Sequence, residues 1–263
     1  MSQDPSVLVV LPTLGTRNVR LREALASIDQ QRSGLGVTVA LVVPQGALEA
    51  RHIAAEFGAI VVDDPGRGMS AAMNAGRQAV TTETATIWLG DDDTYEPGGL
   101  ATLFHLLAAA PDAVVAYGGC KYVDDSGQTM WVSQAGSLAS HVIGCGPNLI
   151  PHPAAMIRLD ALESVGGYDE SLGLVMDLDV FLKLKKTGRF VSTKKPVASF
   201  GWHDESLTVA GRIDSEREAR MVKRKHLPKW LRPVSWVWEW PVAWASRLAA
   251  HTLNRRVGGT QSR

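Results

Sequence analysis

The sequence is short of cysteine, of long apolar runs and of net charge, and each shortage removes a class of protein. Of 263 residues only Cys120 and Cys145 are cysteines, too few for a disulfide framework and without the CxxC or Cys/His spacing of a zinc site. Both read as reduced thiols. No uncharged run approaches the roughly 20 residues that a membrane-spanning helix needs. The opening MSQDPS before VLVVLP has no basic stretch, and its apolar run is shorter than a signal peptide requires. The expectation is a cytoplasmic protein, neither exported by an obvious signal nor integral to a membrane. Lys plus Arg and Asp plus Glu both number 27, a formal net charge of zero, which argues against nucleic acid as a partner.

That zero is a cancellation. Residues 1–220 carry 18 basic against 26 acidic side chains, and residues 221–263 carry 9 against 1. An acidic body is followed by a basic tail, and the division expected is 1–215 for the body and 216–263 for the tail.

Along the body, apolar strand-like runs at Val7 to Leu11, Val37 to Val43, Ile60 to Val62 and Thr86 to Leu89 alternate with helical periodicity. The helical stretches are Val19 to Gln31, Ala47 to Phe57, Met69 to Val80 and Gly98 to Ala110. This is the rhythm of βαβ units and predicts an α/β fold, a mostly parallel sheet with helices on both faces. A hairpin is expected from Ala113 to Val123 and Thr129 to Ser133, loops over the Gly-, Ser- and Pro-rich 136–153, and helices at Arg158 to Val165 and Asp177 to Thr187. In such sheets ligands bind beyond the carboxyl ends of the strands.

Three constellations carry candidate chemistry. Asp91, Asp92 and Asp93 follow a strand directly in IWLGDDDTYEP. Like charges this close resist ionising together unless something positive sits among them. A divalent cation such as Mg²⁺ or Mn²⁺ would serve, since magnesium sites commonly take one or two carboxylates and complete their shell with phosphate oxygens. A solvated acidic turn ahead of a helix is the plain alternative. PGRGMSAAMNAG, residues 65–76, is a glycine-rich turn opening a helix, suited to close approach by phosphate or simply to tight packing. In MDLDVFLK, Asp177 and Asp179 stand at a helix start, where one acid could be a cap and another a general base.

Taken in order, VLVVLPTLG, GRGMSAAMNAG, LGDDDTYEP, PHPAAMIRLDALESVGGYDES and MDLDVFLKLKKTG resemble the inverting family-2 glycosyltransferases of the GT-A fold, over roughly residues 6 to 210. The resemblance implies a nucleotide-diphosphate sugar donor, a bound Mg²⁺ or Mn²⁺ and an acceptor hydroxyl. By the same resemblance Asp91 lies near the donor ribose and Asp92 and Asp93 at the metal. Pro12 and Thr13 touch the base, and Arg67, Gly68 and Asn74 contact the nucleotide. Asp177 falls on the catalytic base, and His203 on a histidine that approaches the cation or diphosphate. Two positions depart from the family: Val43-Pro44-Gln45-Gly46 stands where an acidic pair is usual, and Met73 where an Arg often precedes the helix asparagine. Both leave the donor base and sugar, hexosyl or deoxyhexosyl, undetermined.

Five of eight tryptophans, Trp230, Trp236, Trp238, Trp240 and Trp244, crowd into the tail with Lys223, Arg224, Lys225, Lys229 and Arg232. Trp favours the membrane-water boundary, and a basic residue near an anionic leaflet contributes about 1 kcal/mol. Residues 223–253 are therefore expected to make a peripheral contact at the inner face of the plasma membrane, or else to pack on the body or on a second copy of the chain. A glycan or polyprenyl-linked acceptor in cell-envelope or exopolysaccharide synthesis would suit that location. The alternative from another functional class is a non-catalytic nucleotide-sugar-binding subunit, which would have no use for a base at Asp177.

Overall fold

The computed structural model describes residues 6–80, 82–134, 136–202 and 212–232. Strands β1 (Ser6–Pro12), β2 (Gly36–Val43), β3 (Ile60–Asp63) and β4 (Ala85–Trp88) alternate with helices α1 (Asn18–Asp29), α2 (Leu48–Glu56) and α3 (Met69–Gln78). The four strands are parallel, in the order β3-β2-β1-β4, with Val9 opposite both Val39 and Ile87. Val7 to Leu11 are all fully buried, as a continuous apolar run in the middle of a covered parallel sheet must be. Alternate side chains go to opposite faces. Val7, Val9 and Leu11 pack with Leu25 of α1 and Ile53 of α2, whereas Leu8 and Val10 pack with Met73 of α3. At Gly76 an added Cβ would lie 2.5 Å from Val10 Cγ1 and 2.8 Å from Val42 Cγ2, so α3 sits on the sheet at a distance that only glycine permits.

The second half is less regular. A short β5 (Thr94–Tyr95) leads to α4 (Gly99–Ala108), then to the expected hairpin of β6 (Ala113–Val123) and β7 (Thr129–Ser133). The stretch 136–153, expected as loops, contains α5 (Gly136–Val142) and runs into a 3₁₀ turn at His152–Ala154. Then come β8 (Ala155–Arg158), α6 (Leu159–Ser164), α7 (Met176–Leu184), β9 (Arg189–Gly201) and α8 (Arg212–His226). Strand β8 enters the sheet antiparallel between β4 and β6, and β9 runs parallel to β6 on its far side.

Sequence pattern did not announce β5, β8 or β9. Strand β9 carries Lys194-Lys195-Pro196 in its middle and pairs with β6 through register shifts, which erases its alternation. Helix α8 runs across the boundary expected at residue 215 and sinks Val222, 2% exposed, into the core on the α3 side of the sheet, with Phe181 and Leu184 of α7. Among the described residues no helix is long and apolar enough to cross a membrane.

Candidate active site

Strands β1 and β4 are neighbours, and the residues after their carboxyl ends meet. Thr13 Oγ1 donates to Asp91 Oδ2 at 2.5 Å, and Arg17, one residue ahead of α1, donates from Nη1 to Asp92 Oδ2 at 2.7 Å and lies 4.0 Å from Asp91 Oδ1. A positive partner among the aspartates, Arg17, is thus built into the chain. Burial pushes the Asp91 carboxyl above its ordinary range, the Thr13 bond pulls it back, Asp92 adds to the rise and Arg17 opposes it.

Asp93 differs from its neighbours. It is 1% exposed, and its oxygens accept the backbone N–H of Gly90 at 3.3 Å and of Gly201, at the end of β9, at 2.9 Å. Burial and then the Asp92 charge hold it well above the usual carboxylate range. Expected beside Asp92 at a cation, Asp93 in this geometry ties the β4 turn to β9 through one backbone N–H on each of its oxygens.

The glycine-rich turn does open a helix. Gly68, at φ 95°, precedes α3 in a conformation that side chains rarely adopt. Arg67 is exposed there and pairs with Glu170 at 2.6 Å. Asn74, expected at the nucleotide, is 8% exposed. Its Nδ2 donates to Tyr168 O at 2.9 Å and Glu170 Oε1 at 3.1 Å, and its Oδ1 accepts Tyr168 N–H at 3.0 Å. Those bonds use both amide hydrogens and the oxygen, so Asn74 fastens α3 to the loop ahead of α7.

Two aspartates on α7 receive opposite treatment. Asp177 is half-buried and accepts a hydrogen bond from Asn148 Nδ2 at 2.8 Å. Burial pushes its carboxyl up to about 6 against the backbone bonds of Leu178 and its own amide and the Asn148 bond. Asp179 is fully buried, yet it is held down at about 2, because a 2.8 Å bond to His226 and a 2.7 Å pair with Lys183, with Lys225 at 3.7 Å, outweigh burial. An acid poised near 6 suits proton transfer at neutral pH, and one locked in a pair does not.

The two acidic turns share a neighbourhood. Partly buried Tyr122 of β6 has its phenol raised by burial first and then by Cys120 and by the charges of Asp93 and Asp177. Trp88, at the end of β4, stacks on His152 at 4.6 Å, and His152 Nε2 lies 3.2 Å from the Tyr168 hydroxyl. Burial keeps His152 neutral, its pKa lowered to about 3. Among the described residues no cluster of three or more His, Cys, Asp or Glu side chains forms a ready-made metal cage. Asp92 still presents a partly exposed hard carboxylate with Asp93 buried beside it, a donor type that fits a magnesium- or manganese-type ion whose shell is completed by phosphate. His203 lies outside the described residues.

Arg17 and Asn148 were not singled out from sequence. Arg17 stands in TLGTRN immediately after the first strand, a placement that could have flagged it. Asn148, within GCGPNLIP, carries no such signal.

The fold and this pair of acidic turns define a class. The sequence model of Glycosyl transferase family 2 matches residues 8–166, and the chain belongs to that family. A search of curated proteins returns no match. Among solved structures, residues 1–349 of TarS from S. aureus, in complex with UDP-GlcNAc, superpose with a TM-score of 0.64 at 14% identity, covering 84% of this chain and 66% of that one. This chain thus spans a little under two thirds of that TarS fragment. The mannosyltransferase PcManGT from Pyrobaculum calidifontis, in complex with GDP-Man and Mn²⁺, gives a TM-score of 0.63 at 17% identity, covering 99% and 81%. At these identities the likeness establishes the architecture, a GT-A fold with its sheet curled between helices.

Proposed function

We propose that the protein is an inverting, metal-dependent glycosyltransferase that moves a hexosyl or deoxyhexosyl group from a nucleotide-diphosphate donor to an acceptor hydroxyl. The observation that carries this reading is Asp177, half-buried, bonded by Asn148 and raised to about 6, in a GT-A fold with a carboxylate turn at the neighbouring strand ends. Asp177 takes the proton of the acceptor hydroxyl. The hydroxyl oxygen attacks the anomeric carbon, and the bond from that carbon to the diphosphate breaks on the opposite side, with its electron pair leaving on phosphate. Configuration at the anomeric carbon inverts.

At the donor end Pro12 and Thr13 border the base and Asp91 the ribose, while the exposed Arg67 beside Gly68 reaches toward phosphate. A divalent cation held by Asp92, with Asp93 behind it and His203 as a further ligand, would neutralise charge building on the diphosphate. Arg17, at 2.7 Å from Asp92, keeps that turn compact when the cation is away. The catalytic unit we assign runs to His226, past residue 215, since α8 packs into the core. A polyprenyl-linked or glycan acceptor of the cell envelope, met at the inner membrane face, fits the basic, Trp-rich segment beyond it. The membrane-facing set shrinks, because Lys223 bonds Gly146 O at 2.6 Å and Lys225 pairs with Asp169 at 2.9 Å, whereas Trp230 is 75% exposed. Trp236, Trp238, Trp240 and Trp244 lie outside the described residues.

A thermal-shift screen of nucleotide sugars with and without Mn²⁺, followed by product formation from the labelled hit, tests the reading. A specific donor raises the Tm by mass action. Cation-dependent stabilisation with transfer supports it, and donor binding without transfer to any sugar or lipid-linked acceptor would return the protein to the class of binding subunits.

A further inference from the structure

Helix α7 starts without a local cap. The residue before it is Val175, and no side-chain bond closes the turn, although Ser, Thr, Asp or Asn normally supplies one. The preceding Gly173, Leu174 and Val175 have no polar side chain to hold the backbone that delivers Asp177. A carboxylate from far along the chain takes this task. Glu218 Oε1 accepts the N–H of Gly173 at 2.9 Å, and Oε2 accepts those of Leu174 at 2.8 Å and Val175 at 3.0 Å. Three successive backbone donors converging on one anion form the kind of concavity that binds anions tightly.

Glu218 is one of four residues on one stripe of α8. Positions 218, 222, 225 and 226 follow the i, i+4, i+7, i+8 spacing of a single helix face, and every one of them is tied to the body. Val222 is buried in the core with Phe181 of α7, Lys225 pairs with Asp169 at 2.9 Å, and His226 bonds Asp179 at 2.8 Å. The ties reach residues 169 and 173–175 ahead of Asp177 and residue 179 behind it. Glu218 has no bond to Asp177 itself in the geometry above.

We propose that Glu218 is a positioning residue for transfer, holding the backbone of residues 173–175 so that the Asp177 carboxylate meets the acceptor hydroxyl. The inference rests on Asp177 being the base. Loosening the lead-in turn displaces Asp177 and admits water, and a misplacement on the order of 1 Å can cost up to about a hundredfold in rate. Water reaching a carboxyl also returns it toward its ordinary ionisation range. Burial and then, among other charges, that of Asp177 raise the phenols of Tyr122 and Tyr168.

The test uses the full chain with Glu218→Gln, Glu218→Asp, Asp177→Asn and the double variant Glu218→Gln/Asp177→Asn, read by single-turnover transfer, donor titration and the pH profile. The expected result for Glu218→Gln is a loss of about tenfold or more in transfer. Donor Kd should stay within about twofold, and the rising limb of the pH profile should move to lower pH. Glu218→Asp, one methylene too short to reach three donors, should show the same loss. Adding Glu218→Gln to Asp177→Asn should change the residual rate by less than about twofold, because residues acting as a unit are non-additive. Equal losses in both backgrounds, an unmoved pH limb, wild-type transfer by Glu218→Gln, or unfolding of both single Glu218 variants would each overturn the inference. If Asp177→Asn keeps full transfer, the base reading falls and takes this one with it; if Asp177→Asn fails and Glu218→Gln does not, only this inference falls.

Discussion

The turn after β4 and the first turn of α7 each present acids within three residues of one another, and each divides them the same way. One acid is buried and held by the fold: Asp93 by the backbone of Gly90 and Gly201, Asp179 by a bond to His226 and an ion pair with Lys183. Its neighbour is only partly buried, Asp92 in the first turn and Asp177 in the second. The means differ. Asp93 has only backbone N–H groups against burial and the Asp92 charge and is raised, whereas Asp179 has the His226 bond and the Lys183 and Lys225 ammonium groups against burial and is lowered. The buried carboxylate of each turn ties elements of the fold together, and Asp177, half-buried with Asn148 as its side-chain donor, is the acid we assign to proton exchange.

The contrast breaks most visibly at Asp177. Asp177→Asn should lower single-turnover transfer by at least about a hundredfold while donor binding persists. In the wild type, transfer should rise with pH through about 6, because only the ionised carboxylate accepts a proton. The same shift predicts a gain in stability. A folded-state value near 6 lies above the ordinary 3.8, so the native protein holds a proton that the unfolded chain releases between these values. Above pH about 6 the group therefore opposes folding by on the order of 3 kcal/mol, and below about 4 it does not. Asp177→Asn should raise the Tm at pH 7.5 and leave it unchanged near pH 4. An unchanged Tm at both pH values would show that Asp177 ionises freely.

Asp179→Asn should do the opposite. Its depressed value means that its contribution is full above pH about 4 and is lost as pH falls through about 2. Removing the charge strands Lys183 and His226, and breaking a buried pair in this way costs about 3–5 kcal/mol. Urea melts at pH 7.5 check this. If Asp179→Asn is as stable as wild type yet inactive, the division of labour on α7 is reversed.

Smaller effects sharpen the β4 turn. Asp92→Ala should weaken Mn²⁺-supported donor binding by about tenfold, roughly one charge-assisted contact, while Asp93→Asn should mainly lower the Tm. Equal donor affinity for wild type in chelator and in Mn²⁺ would remove the cation from the site. The least effect is expected from Arg17→Ala, which frees Asp92 of a partly exposed ion pair. Cation affinity should rise two- to threefold, about 0.5 kcal/mol, as read by a Mn²⁺ titration.

The sequence by itself determined the alternating β1–α3 half, the hairpin, and the positions of both acidic turns. These rest on periodicity and on turn residues close along the chain. It could not determine which aspartate in each turn is buried and which stays partly exposed, because that depends on Gly201, Arg17, Asn148 and His226, up to 108 residues away. Nor could it show β9, whose two ends pair with β6 across an irregular polar middle. The beginning of the basic tail was legible only as charge. The fold turned one face of α8 inward, since Val222 gains core burial there and Glu218, Lys225 and His226 find opposite charges or unpaired backbone donors. Ionisation and positioning are set by what surrounds a residue in space, and distant parts of the chain supply those surroundings only once it has folded.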